Sequence, residues 1–256
     1  MTILTISAQR QLAPRIFEMT LQGELVRDLK KPGQFLHIRV PNNTMLLRRP
    51  ISLAEINPDY CKIIYRIEGA GTEIFSKMKA GEQLDVIGPL GNGYDVTELA
   101  AGQLAFVIGG GIGTPPMYEL SKQLLARGVR VVQLLGYASK EVIFYEKEFL
   151  QLSRETRYAT DDGSYGLHGH MGMLIDAALE EFGQPDAVYA CGANGLLKAV
   201  DRKFADHPRA YISMEARMAC GIGACYACVI HTTSDNNSSL KVCDQGPIFA
   251  TGKVVI

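Results

Sequence analysis

Four of the six cysteines lie between positions 220 and 243, and three of them form the string Cys220-Gly-Ile-Gly-Ala-Cys225-Tyr-Ala-Cys228, with Cys243 following after fourteen residues. Thiolates are soft metal ligands, and C-x4-C-x2-C is a spacing at which a glycine-rich loop wraps a [2Fe–2S] cluster while the last ligand comes from further along the chain. Gly221 and Gly223 suit such a wrap, because they reach backbone conformations closed to residues with a Cβ and so let peptide N–H groups turn toward sulfur. A structural zinc site and two disulfides are the alternatives. Zinc loops favour a C-x2-C pair on each side, and only one such pair is present. The start of the chain lacks the basic stretch, apolar run and cleavage site of a secretion signal, so clustered cysteines read as metal ligands before disulfides. The expected metal ligands are Cys220, Cys225, Cys228 and Cys243.

A second set of residues uses glycine for close approach. Val107-Ile108-Gly109-Gly110-Gly111-Ile112-Gly113-Thr114-Pro115-Pro116 sits where an apolar strand meets a helix, a place where bare backbone can approach a pyrophosphate and a helix start offers unpaired N–H groups. A tight turn without a ligand is the alternative, since the string departs from G-x-G-x-x-G. Two further loops, Thr160-Asp161-Asp162-Gly163-Ser164-Tyr165-Gly166 and Cys191-Gly192-Ala193-Asn194-Gly195, would fall on the same carboxyl edge of a parallel sheet, where open α/β sheets bind ligands. The nucleotide candidates are therefore Gly109, Gly110, Gly111, Gly113, Thr114, Asp162, Gly163 and Gly192. In the first half, Arg48-Arg49-Pro50-Ile51-Ser52 and Gly69-Ala70-Gly71-Thr72 offer a guanidinium for a pyrophosphate, a hydroxyl for a flavin edge and small residues with donors for phosphate. Taken singly these are ordinary strand ends and turns. Together they point to a flavin nucleotide.

The elements that must position these residues change character along the chain. Up to about Glu98, short alternating segments such as Phe35 to Val40 and Cys61 to Ile67 are separated by turn residues, which predicts an all-β half, a barrel or a sandwich. From Leu104 strands and helices alternate. Thr114 reads as an N-cap with two prolines behind it and Gly128 closes that helix. Then follow a strand Val129 to Gly136, a helix near Glu141 to Leu152, a strand Arg157 to Thr160, a helix Met171 to Phe182, a strand Ala187 to Cys191 and a helix from Leu196 to about Phe204. That order indicates a parallel sheet covered on both faces. From about Ala210 a cysteine-rich tail follows, with a polar loop over 232–239. The expected class is α+β multidomain: an N-terminal antiparallel β-barrel (1–98), a central parallel α/β nucleotide-binding domain (99–209) and a small C-terminal iron–sulfur module (210–256).

Composition bounds the function. The 256 residues correspond to about 1.7 domains of ~150 residues. The 26 Lys and Arg balance 27 Asp and Glu for a net charge of -1, without long runs of one sign, which argues against nucleic acid as a partner. Hydrophobic residues at 47% and charged at 21% exclude disorder. No stretch of about 18 apolar residues predicts a membrane span. A reducing cytoplasm is the expected compartment.

The order Arg49-Pro50-Ile51-Ser52, Gly71-Thr72, Gly-Gly-Gly-Ile-Gly and Cys191-Gly192 resembles the ferredoxin reductase-type flavoproteins over residues 1 to about 210. With Glu215-Ala-Arg-Met-Ala-Cys220-Gly-Ile-Gly-Ala-Cys225-Tyr-Ala-Cys228, the whole chain is similar to electron-transfer subunits of type B dihydroorotate dehydrogenase. The resemblance implies a barrel holding FAD, an α/β domain for NAD and a cluster module docked on an FMN-containing catalytic subunit, two of each chain forming a heterotetramer in pyrimidine (UMP) biosynthesis. It also implies roles. Arg49, Pro50, Ile51 and Ser52 would line the isoalloxazine and phosphates, with Tyr65, Arg66 and Ile67 on the next strand. Gly71 and Thr72 would hold pyrophosphate, and Cys191 would sit at the nicotinamide edge, so Ser52 and Cys191 are the catalytic candidates. The flavin subunits of NADH-dependent ferredoxin:NADP oxidoreductase and sulfide dehydrogenase complexes share the layout. Their cysteine loop reads Asp-Gly-Thr-Gly-Met-Cys-Gly, a string absent here. Thr114-Pro115-Pro116 departs from the small apolar residue and Ala-Pro of relatives. A zinc-stapled binding protein without flavin is the reading from another class.

Several residues attract no role. Cys61 in an alternating strand reads as a small buried hydrophobe, and His168 and His170 two apart in a loop make a weak metal pair. His37, His207 and His231 belong to no constellation. No arginine cluster follows Gly136 to hold a 2'-phosphate, which favours NAD over NADP, though Lys140 is near.

Overall fold

The computed structural model describes residues 2–235 and 238–256, so Asn236 and Asn237 of the polar loop between the last cysteines lie outside the described residues. The strands β1 (Thr2–Ala13), β2 (Ile16–Gln22), β3 (Phe35–Ile38), β4 (Arg49–Ile56), β5 (Cys61–Arg66) and β6 (Gln83–Leu90) close into a barrel in the order β1-β2-β5-β4-β3-β6, with a short helix α1 (Ala70–Lys77) between β5 and β6. All six pairings are antiparallel. Alternation fills the interior: Leu36 and Ile38 of β3, Leu53 of β4, and Cys61, Ile63 and Tyr65 of β5 meet there with Phe75 of α1. Cys61 is fully buried, as expected of a small hydrophobe.

All four residues of β3 are buried, although only alternate ones face the barrel interior. Its outward side chains are Phe35 and His37. Phe35 joins the core that also contains Cys228 and Cys243, and His37 lies against Gly221. The outer face of this strand is therefore covered by the cysteine-rich segment rather than by water.

The second half is a seven-stranded sheet in the order β10-β9-β8-β7-β11-β12-β15. It is built from β7 (Leu104–Gly110), α2 (Thr114–Ala126), β8 (Arg130–Tyr137), α3 (Glu146–Leu152), β9 (Thr156–Thr160), β10 (Leu167–His168), α4 (Met171–Phe182), β11 (Ala187–Cys191), α5 (Asn194–Lys203) and β12 (Ala210–Ser213), with β15 (Ile248–Ala250) at the edge. Every pairing is parallel except β12 with β15. The chain runs outward from β7 through β8 to β10 and then returns to β11 on the other side of β7. This makes a topological switch point between β7 and β11. In the tail, β13 (Val229–His231) pairs with β14 (Ser239–Lys241), and β15 ties the tail back into the large sheet.

Three local readings change. Thr114 is the first helical residue and Gly113 caps it, because a 3-10 turn over Gly111–Gly113 runs straight into α2. Gly69 to Thr72 is the start of α1 rather than a bare turn. The helix expected from Glu141 begins at Glu146, since Tyr145 takes a left-handed φ of 57° and separates α3 from a 3-10 turn over Lys140–Val142.

The two halves pack through aromatic and aliphatic side chains, with Ala13, Ile16, Ala54 and Ile64 of the barrel against Tyr137, Phe144, Tyr145 and Phe149. The Arg10 guanidinium donates to Glu18 at 2.8 Å, and the Tyr145 hydroxyl reaches across from the other half to the same carboxylate.

Candidate functional site

In the barrel, adjacent arginines have separate fates. Arg48 donates from one nitrogen to both Asp85 oxygens at 2.9 Å and is committed to holding β6. Arg49 donates to the carbonyl of Leu47 at 2.7 Å and has no carboxylate partner among the described residues. Its guanidinium lies across the start of α1, where a Cβ on Gly71 would stand 2.9 Å from Arg49 Nε, so any larger residue at 71 would push the guanidinium aside. The first-turn peptide N–H groups of α1 have no partner within the helix. Thr72 differs from expectation in one respect: its hydroxyl is already used, donating to Gly69 O at 3.0 Å and accepting from the N–H of Glu68 and Gly69.

Register places Phe35 opposite Ser52 and His37 opposite Pro50, so these four share the outer face of the barrel while Ile51 points inward with Leu36. The half-buried Ser52 hydroxyl has no hydrogen-bond partner among the described residues. The Tyr65 side chain points into the barrel, where it donates to Gln9 at 2.9 Å, so only its backbone can face a ligand. Arg66 is paired with Glu68 at 2.9 Å, and the Ile67 carbonyl accepts Arg15 at 3.1 Å.

At the switch point the glycines are explained by contact. A Cβ on Gly113 would lie 2.5 Å from the Cys191 carbonyl oxygen, and one on Gly110 would lie 2.5 Å from Leu196. A Cβ on Gly192 would come within 3.3 Å of Gly110, and one on Gly109 within 3.1 Å of Thr114. Gly111, with a φ of +51°, and Gly195 face open space. Thr114 is wholly buried. Burial pushes the Cys191 thiol up to about 12, so it is a neutral group at the end of β11 rather than a nucleophile. The third loop lies at the same sheet edge beyond β9. There Asp162 accepts from the N–H and hydroxyl of Ser164 at 3.0 and 2.6 Å, which holds its carboxyl below the usual range, and Gly163 at φ +72° packs on His168.

The cysteine loop points peptide donors at sulfur. The N–H of Ile222 approaches Cys220 Sγ at 3.5 Å, that of Gly223 approaches Cys243 Sγ at 3.2 Å, and that of Cys243 approaches Cys228 Sγ at 3.4 Å. Gly221 and Gly223 take φ of +74° and +78°, which makes this possible. The Ile222 N–H, with help from Cys225 and Ala224, holds the Cys220 thiol down to about 6, whereas burial pushes Cys243 up to about 11. All four cysteines are free, and among the described residues no three ligating side chains close on a single ion. Peptide N–H groups directed at three of four free thiols suit the donor set of a sulfur-bridged cluster.

Comparison with known proteins agrees with this geometry. Residues 215–255 match the iron-sulfur cluster binding domain of dihydroorotate dehydrogenase B, and residues 107–202 match the oxidoreductase NAD-binding domain. The electron transfer subunit of dihydroorotate dehydrogenase B (NAD(+)) from Enterococcus faecalis is 60% identical over 99% of this chain and 98% of that protein. The chain belongs to the family of dihydroorotate dehydrogenase B electron transfer subunits. Within that family, the Streptococcus thermophilus subunit is 52% identical, again over 99% of this chain and 98% of its own. Among solved structures, one described as the NADH-dependent reduced ferredoxin-NADP oxidoreductase aligns with a TM-score of 0.85 at 25% identity, covering all of this chain and 90% of that one. A ferredoxin NADP+ reductase from Neisseria gonorrhoeae with bound FAD and NADP shares the fold at a TM-score of 0.67 and 15% identity, covering 84% of this chain and 93% of that one. An iron–sulfur cluster and NAD are thus the cofactors shown for this chain. No helix among the described residues is long and apolar enough to cross a membrane.

Two supporting residues escaped the sequence. Asp85 neutralises Arg48, a pairing across 37 positions that no local pattern reveals. Lys241 braces the cysteine loop by donating to Gly223 O at 3.1 Å while pairing with Asp244 at 3.2 Å and lying 4.9 Å over the Tyr226 ring.

Proposed function

We propose that the chain draws electrons from an FMN-containing, dihydroorotate-oxidising catalytic subunit and delivers them to NAD+, as half of a cytoplasmic heterotetramer of two of each chain serving pyrimidine synthesis. The observation that carries this reading is the shared face: the cysteine loop rests on β3, and β3 is hydrogen-bonded to the Arg49–Ser52 segment of β4. When bound, the flavin and the cluster supply the exchange between single electrons and hydride that side chains lack.

The chain's own residues bind and orient. Arg49 offers an uncommitted charge to a pyrophosphate, beside the open N–H groups at Gly71 and Thr72. Pro50 and Ser52 line the isoalloxazine, with the Ser52 hydroxyl toward its edge, while Ile51, whose side chain points inward, contributes backbone, as do Tyr65, Arg66 and Ile67 of the next strand. The Gly109–Thr114 turn, Asp162–Gly163 and Gly192 receive the dinucleotide, and the neutral Cys191 thiol positions the nicotinamide. Lys140 lies 5.5 Å over the Tyr165 ring, and no arginine stands nearby in sequence, which supports NAD rather than NADP. Ile222 and Tyr226 of the cysteine loop are 61% and 65% exposed, apolar surface where a catalytic partner would have to approach. The domain division at about residues 98 and 209 belongs to the same reading.

The likeness to the ferredoxin-NADP oxidoreductase structure favours a second reading, a subunit serving another acceptor. Anaerobic titration of the purified subunit separates them. NADH is expected to bleach its flavin while dihydroorotate leaves it oxidised. Bleaching by dihydroorotate without a partner would overturn the conduit assignment.

A further inference from the structure

His37 is fully buried, and neither ring nitrogen closes a hydrogen bond of normal geometry among the described residues, although the backbones of Cys220 and Arg48 lie near enough to interact with the ring. Its neighbours on β3, Phe35, Leu36 and Ile38, are all apolar, so the strand itself gives no reason for an imidazole there. An unpaired buried polar ring costs free energy that a leucine would not. The ring projects from the outer face of the barrel onto the cysteine loop, so closely that a Cβ on Gly221 would fall 2.4 Å from His37 Nδ1. Gly221 follows the ligand Cys220 directly, and His37 is register-paired with Pro50 in the flavin segment.

We propose that His37 is a positioning residue for the [2Fe–2S] cluster, its imidazole N–H serving the sulfur shell held by the Cys220 loop. A neutral imidazole carries one N–H and one acceptor whichever tautomer it adopts, so a donor is always present. A hydrogen bond to sulfur favours the reduced cluster and raises its potential. The proposal rests on the cluster reading, and iron and sulfide content of the wild-type protein checks that first. A wild type without iron and sulfide would sink the cluster reading itself.

The test is an EPR-monitored redox titration of the full-length, cluster-loaded protein with His37→Leu and His37→Asn. At a fixed potential the reduced-to-oxidised ratio of the cluster in His37→Leu is expected to fall about tenfold, 59 mV for a one-electron couple. His37→Asn, which keeps an N–H donor, should recover most of that shift. A loaded His37→Leu protein with the wild-type potential would overturn the role of His37 and leave the cluster reading standing. If the leucine variant takes up no cluster, pulsed EPR on wild-type protein with nitrogen-15 histidine decides. A coupling to the reduced cluster that disappears in His37→Asn supports the proposal, and its absence in wild type overturns it.

Discussion

The proposed flavin segment of the barrel and the cysteine loop solve one problem with opposite means. On β4 and α1 regular hydrogen-bonded structure fixes the backbone, and selectivity comes from which side chain stays uncommitted: Arg48 is spent on Asp85 while Arg49 is not. Between Cys220 and Cys243 there is little regular structure. Two left-handed glycines aim the N–H groups, and rigidity is borrowed from β3 below and Lys241 beside. A binding group on a strand can be lost without disturbing its support. A loop ligand cannot, because ligand and support are the same few residues.

The largest expected effect breaks the loop. Cys225 is exposed, so Cys225→Ser removes a ligand without cutting into a core. Iron and labile sulfide should vanish, and electron transfer from the partner with them, while FAD stays bound. Intact cluster absorbance in this variant would remove Cys225 from the ligand set.

On the regular side, Arg49→Ala should weaken FAD binding by about 1.5–3 kcal/mol, the worth of a hydrogen bond to a charged group, with the melting temperature of the FAD-free protein unchanged. Arg48→Ala should do the reverse, lowering stability because the partly buried Asp85 loses its close partner and keeps only Arg39 at 3.8 Å. Equal losses of FAD in both variants would erase the distinction between the two arginines.

At the switch point, Gly113→Ala forces a methyl against the Cys191 carbonyl and should destabilise by about 1–3 kcal/mol in denaturant melts, with weaker NADH binding. Gly111→Ala meets no atom and should cost only the left-handed strain, about 1–2 kcal/mol.

The smallest effect concerns the tie between the halves. Burial works against the Glu18 charge, but the hydrogen bonds from Arg10 and Tyr145 more than offset it and hold its pKa below the ordinary 4.5. The stabilisation from a lowered carboxylate is present above the unfolded value and is lost as pH falls through the folded one. Glu18→Gln should therefore cost stability near neutrality, about 1–3 kcal/mol, and flatten the acid limb of the melting curve below pH 4.5. Parallel pH profiles for the two proteins would contradict it.

The contrast also explains what could be read in advance. Cys220, Cys225 and Cys228 stand close together in sequence, so their spacing announces the cluster. The strands from Leu104 onward declare themselves by apolar runs, and α4 and β11 occupy the expected residues. The fates of Arg48 and Arg49 depend on Asp85 and Gly71, far along the chain, and no local pattern separates them. Thr72 looked like a free hydroxyl because its use as a cap appears only once α1 forms. His37 looked idle because the loop that covers it begins more than 180 residues later.

The most direct measurement is reconstitution of the purified chain with its dihydroorotate-oxidising partner, following NADH formation after dihydroorotate is added to NAD+. NADH should form only when both chains are present, and Cys225→Ser should stop it without releasing the partner's flavin. NADH formation by the Cys225→Ser complex at the wild-type rate, or by either chain alone, would contradict the role assigned to this subunit.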